Sequence, residues 1–99
     1  MIAGITYDQE KIINKILKPY SKEFAFYYYG SRVKGGFEKT SDLDILIKGK
    51  KLIAGEIIEQ IKEKFDQSKL PFMVNLTDYF GIDERFYEMI VGDLIGIHT

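Results

Sequence analysis

The amino-acid sequence predicts an α+β fold, an α/β hybrid in which helices pack a small mixed β-sheet. Three observations lead there. The segments read in the order helix, strand, strand, helix, strand, helix and a short last strand. Apolar residues recur at helical spacing in the long segments, whereas the strands are short aromatic or aliphatic runs. Glycine or proline stands at most of the boundaries. With 99 residues, 45% hydrophobic and 29% charged, the chain suits one modest core, and residues 1–99 read as a single domain.

The first helix spans about 8–20, where Ile12, Ile13, Ile16, Leu17 and Tyr20 share a face. Thr6 and Gln9 form a capping box at its start, and Pro19 marks where it frays. Residues 24–29, five aromatics and one alanine, read as a strand buried on both faces. The three glycines within residues 30–41 make that stretch a loop with room for one helical turn. A second strand covers 43–48, and a helix covers 51–67 with Ala54, Ile57, Ile58, Ile61 and Phe65 inward. Pro71 opens a third strand at 72–77. Asp83 caps a helix to about 91, with Phe86, Met89 and Ile90 apolar, and 94–97 form a last short strand.

Composition removes several classes of function. Fourteen basic residues against fifteen acidic ones, a net charge of −1, argue against a stand-alone nucleic-acid binder held by bulk charge. The absence of cysteine excludes a disulfide framework and a thiolate zinc site. No apolar run approaches the roughly 18 residues that cross a bilayer, and no leader pattern opens the chain, so a cytoplasmic protein without a membrane partner is expected.

Chemistry concentrates in Gly30-Ser31-Arg32-Val33-Lys34-Gly35 and Ser41-Asp42-Leu43-Asp44. Asp42 and Asp44 are two apart at a strand start, so both point to one face with α-carbons about 6.6 Å apart. Leu43, Ile45 and Ile47 then belong to the opposite, buried face. Paired carboxylates repel unless a cation lies between them, and their oxygens suit Mg²⁺. Two metals about 4 Å apart can clamp a phosphoryl group in an in-line displacement. Gly30-Ser31, directly after a strand, lets backbone come close to phosphate oxygens, and Arg32 and Lys34 add positive charge. The glycine-rich stretch is not a Walker A loop, because Gly36-Phe37 stand where Lys and Ser/Thr are required. Tyr27, Tyr28 and Tyr29 are expected in the core, and Lys48, Lys50 and Lys51 at a solvated surface.

The Gly30–Gly35 stretch, followed by Ser41-Asp42-Leu43-Asp44-Ile45-Leu46-Ile47, resembles the signature of the minimal nucleotidyltransferases. These are small members of the DNA polymerase β-like nucleotidyltransferase superfamily. The resemblance extends to the leading helix and to the strand Leu70-Pro71-Phe72-Met73-Val74-Asn75-Leu76. It implies the polymerase β-like fold, a two-metal Mg²⁺ site, and an NTP substrate, ATP in the members that transfer AMP. It also implies a HEPN-domain partner: short members act as antitoxins to HEPN toxins, and some transfer AMP to a tyrosine of the toxin. Residue by residue, it gives the triphosphate to Gly30 and Ser31, the metals to Asp42 and Asp44, and a supporting phosphate or partner contact to Arg32.

The third family carboxylate falls at Asn75, between Val74 and Leu76. An amide offers Mg²⁺ a carbonyl oxygen but no charge, and it takes up no proton as a base. Asp78, at odd spacing from Asn75, points to the other face of the strand. Two readings stay open: an enzyme with Asn75 in its catalytic set, and a weakened or inactive binding module that neutralises its partner by contact. Larger relatives carry a second domain that selects base and acceptor. A chain with only the catalytic half is therefore expected to take its acceptor from another subunit, or to self-associate when that partner is absent.

Overall fold

A computed structural model describes residues 2–99, and its elements follow the predicted order. Helix α1, Tyr7–Leu17, begins at Thr6 with the expected capping box: the Gln9 N–H donates to Thr6 Oγ1 at 3.1 Å, and the Thr6 N–H to Gln9 Oε1 at 2.9 Å. It ends three residues earlier than the spacing predicts. Pro19 has no N–H to continue the α pattern, and the chain tightens into a 3-10 turn over Lys18–Tyr20. Strand β1 is Ala25–Tyr29, then comes the four-residue helix α2, Ser31–Lys34, and strand β2 is Leu43–Lys48. Helix α3, Gly55–Asp66, starts four residues later than expected. The Asp78 carboxylate explains this, since its Oδ2 takes the Ile53 N–H at 2.7 Å and pins the preceding residues outside the helix. Strand β3, Val74–Asp78, loses Phe72 and Met73 from the predicted span. Helix α4, Glu84–Ile90, is capped by Asp83, and β4 is the two-residue strand Ile95–Gly96.

The sheet order is β3-β2-β1-β4. β1 runs antiparallel to β2 and β4, while β2 and β3 are parallel and joined through α3. On one face Phe26, Tyr28, Leu43, Ile45, Ile47 and Val74 pack against Ile13 and Leu17 of α1 and Ile61 and Phe65 of α3. The Tyr28 hydroxyl donates to Glu10 Oε2 at 3.0 Å, which ties β1 to α1. On the other face Tyr29 and Leu46 pack against Ile90, with Tyr27 and Phe86 beside them. Met89, read as one of the apolar positions of α4, is 69% exposed. The reason is that so short a helix covers the sheet with only part of its apolar side.

Arg32 departs from expectation in role. Read as a phosphate or partner contact, it is instead the buried hub of the 30–41 loop, 4% exposed. Nε donates to the Ser41 carbonyl at 3.0 Å, Nη2 to the Lys39 and Glu38 carbonyls at 3.0 and 3.3 Å, and Nη1 to the Gly4 carbonyl. The Phe72 ring stacks 4.0 Å from the guanidinium carbon and Phe37 5.2 Å from it. Phe72 leaves the strand to make that contact. A planar fork with five donors suits four backbone carbonyls better than any other side chain. Arg32→Met keeps the stem and removes the donors, so it should lower the unfolding free energy by about 3 kcal/mol in a urea titration. A loss below about 1 kcal/mol, typical of a surface arginine, would contradict this role.

Candidate active site

Tyr29, Asp44 and Asn75 lie side by side across β1, β2 and β3. Because side chains alternate along a strand, these three residues and Asp42 share the face opposite the α1/α3 core. The C-terminal end of β1 and the N-terminal ends of β2 and β3 meet at the same edge of the sheet. The Gly30–Ser31 turn leaves β1 there.

The Asn75 amide is the centre of the group. Its Nδ2 lies 3.1 Å from Asp42 Oδ2 and 3.1 Å from Asp44 Oδ1, so both amide hydrogens are donated to carboxylates. The acceptors set that orientation, since ionised carboxylates only accept. Burial lifts the Asp44 carboxyl above its ordinary pKa, the Asn75 hydrogen bond pulls it back, and the Asp42 charge adds to the rise. Gly30 holds the other side of Asp44. Its φ of 85° and ψ of −160° belong to a region open in practice to glycine alone, and a Cβ there would collide with Asp44 Oδ2.

Beyond Asp44 the face is closed: the Tyr29 hydroxyl and Thr77 Oγ1 are hydrogen-bonded at 2.9 Å, and Phe86 stacks edge-on against the Tyr29 ring at 6.2 Å. Lys34 of α2 pairs with Asp93 at 3.3 Å, tying the turn to the segment after α4. Beside Asp42, toward the end of α3, a cavity of about 420 Å³ is lined by Thr40, Phe65, Asp66, Leu70 and Met73 among others. Asp78 is spent elsewhere, accepting from the N–H groups of Ile53 and Phe80 at 2.7 and 3.0 Å.

The structure thus brings together Asp42, Asp44, Asn75 and Gly30, with Ser31 next along the turn, and separates Arg32 and Asp78 from them by function. Sequence reading missed the Tyr29–Thr77 bond, which depends on strand order, and the Arg32 clamp. Phe37, an aromatic residue in an otherwise polar loop, was the available signal for the clamp. Among the described residues no three His, Cys, Asp or Glu side chains gather around one point. The set here is two carboxylates and one amide, and its oxygens are hard ligands of the kind Mg²⁺ takes.

The glycines provide a test of this packing. Gly36 also has a positive φ, 77°, but a Cβ there meets nothing within 4 Å. Gly36→Ala should therefore cost only backbone strain, about 1–2 kcal/mol by chemical denaturation. Gly30→Ala adds displacement of Asp44 to a strain of about 1–3 kcal/mol and should be the more damaging of the two. Equal losses would contradict the contact between Gly30 and Asp44.

Comparison with known proteins agrees with the geometry. Residues 10–97 match the family described as polymerase beta, nucleotidyltransferase. The chain is 34% identical over 86 residues to the Haemophilus influenzae protein named probable protein adenylyltransferase MntA, covering 87% of this chain and 75% of that protein. A crystal structure of a toxin–antitoxin with AMP-PNP shares the fold at a TM-score of 0.73, with 21% identity over 90% of this chain and 72% of that one. Spectinomycin adenyltransferase AAD(9) from Enterococcus faecialis, solved with ATP and spectinomycin, aligns at a TM-score of 0.52 and 28% identity. That alignment covers 75% of this chain and 34% of the other. A match along nearly its whole length, on the same strands that carry Asp42, Asp44 and Asn75, places this chain in the polymerase beta nucleotidyltransferase family.

Proposed function

We propose that the chain, acting as one domain over residues 1–99, transfers a nucleoside monophosphate from an NTP to a hydroxyl on a partner protein. The observation that carries this is the convergence of Asp42 and Asp44 on one amide, next to a glycine turn that comes against Asp44. In this reading AMP comes from ATP and the acceptor is a HEPN-type toxin. Support comes from the Haemophilus influenzae relative, whose name is that of a protein adenylyltransferase, and from structural neighbours solved as toxin–antitoxin complexes. No described helix is long and apolar enough to cross a membrane, and we assign the pair to the cytoplasm.

The roles follow from placement. Gly30 brings backbone close to the phosphates, and Ser31 offers a hydroxyl donor to them. Asp42 and Asp44 would hold Mg²⁺, which when bound would screen phosphate charge and make an acceptor hydroxyl more acidic. The acceptor oxygen attacks the α-phosphorus, pyrophosphate leaves, and the hydroxyl proton passes to solvent or to a carboxylate. Asn75 stands where a third carboxylate would take that proton, and an amide takes none.

A second reading has its own observation. With both Asn75 hydrogens committed to the carboxylates, the chain suits a module that binds its partner and leaves it unmodified. Transfer of radiolabelled AMP from ATP to the co-purified partner separates the two. Wild type should transfer slowly, and Asp42→Asn/Asp44→Asn should lose transfer and Mg²⁺-dependent ATP binding together. Asn75→Asp should gain activity by up to about 10²–10⁴-fold, the usual worth of a general base. Binding without transfer by any variant would favour the contact module. Both readings require a complex, so co-expression with the neighbouring gene product should give co-elution in size-exclusion chromatography. Two monomer peaks at micromolar concentration would count against both.

A further inference from the structure

We infer that the Asn75 amide is a latch standing in for a cation between Asp42 and Asp44, so that the site admits a divalent metal only in company with a nucleotide. The inference rests on the nucleotidyl-transfer reading of the same site and adds how that site is loaded.

Each carboxylate already has one oxygen engaged by the amide. Nδ2 donates to Asp42 Oδ2 and Asp44 Oδ1 at 3.1 Å each, and the remaining Asp44 oxygen lies against Gly30. Two like charges on adjacent positions of one face would repel, and a pair of N–H dipoles aimed between them relieves that repulsion without adding a positive charge. The amide thus gives the pair a fixed geometry without adding a charge of its own. A cation placed between Asp42 Oδ2 and Asp44 Oδ1 would face the positive end of the amide. To coordinate, it must turn the amide over, exchanging two charge-assisted hydrogen bonds for one neutral carbonyl ligand. Two carboxylates alone give a hard cation little in return, because affinity at such sites rises with the count of charged oxygens. The phosphates of a nucleotide supply the missing charge and can displace the amide as they arrive.

The ligand and latch roles demand opposite behaviour of variants. If Asn75 were a metal ligand, removing it would weaken metal binding. If it is a latch, Asn75→Ala exposes an unrelieved carboxylate pair and tightens binding. Mn²⁺ titration without nucleotide, followed by calorimetry and by loss of the free Mn²⁺ spin-resonance signal, reads this directly. Wild type should bind Mn²⁺ no better than in the millimolar range. Asn75→Ala should bind more tightly than wild type, and Asn75→Asp tighter still, by about 10–100-fold over wild type. Circular dichroism checks folding, and Asn75→Val, which also lacks a donor and suits a strand, replaces the alanine variant should that one not fold. Equal or weaker Mn²⁺ binding by the folded alanine or valine variant overturns the latch. So does nucleotide-free binding by wild type as tight as that of Asn75→Asp. Adding a non-hydrolysable ATP analogue should let wild type take up Mn²⁺ and analogue together. Should folded wild type bind no analogue at all, the nucleotide-site reading falls, while the latch is still judged by the nucleotide-free order of affinities.

Discussion

One carboxylate, that of Asp44, is gripped between two strands that are not neighbours in sequence. Gly30, at the end of β1, leaves the space that its Oδ2 occupies, and Asn75, on β3, donates to its Oδ1. Asp44 sits on the central strand between them, opposite Tyr29 and Asn75 in register. The positive φ of Gly30, the sharp exit from β1 and the alignment of three strand ends all follow from fitting backbone around that group. A change of register by one residue would send Asp44 into the core and Ile45 out to the site. The hydrophobic face therefore protects the geometry of the polar one.

The loop between Gly30 and Asp42 is held by a different device. Eleven residues of polar, glycine-containing chain would ordinarily be mobile. Here the Arg32 guanidinium gathers carbonyls from Gly4, Glu38, Lys39 and Ser41 and is covered by Phe72 and Phe37. The cation thus fastens the N-terminal segment, the loop and the entry to β3 at one point. It delivers Asp42 to the start of β2 without touching it. The carbonyl dipoles compensate the buried charge, and no carboxylate partner is required.

Much of this was legible in the sequence, and the parts that were not share a cause. Alternation along residues 43–48 set the core face against the Asp face, and the capping box at Thr6 placed the start of α1. Such signals are local, carried by residues two to four apart. The late start of α3 depends on Asp78 reaching Ile53, and the exit of Phe72 from β3 depends on Arg32. Both are long-range contacts that no window of sequence contains. Met89 failed for a related reason: a helical period tells which residues align, not how much of the helix finds something to cover. At the site, the spacing of Asp42 and Asp44 and the amide at position 75 were readable, but their convergence required strand order. Arg32 was misread because a basic residue beside a glycine turn looks the same whether it faces phosphate or backbone.

The separation of the two sheet faces has a genetic consequence. Leu43, Ile45 and Ile47 carry the packing of β2, while position 75 touches only the polar side of the sheet. Asparagine and aspartate codons differ by one transition in their first base. A single nucleotide thus converts the amide into an acid with almost no change of shape and no disturbance of the core. On this scaffold the charge at position 75 can change while the packing of the core stays as it is.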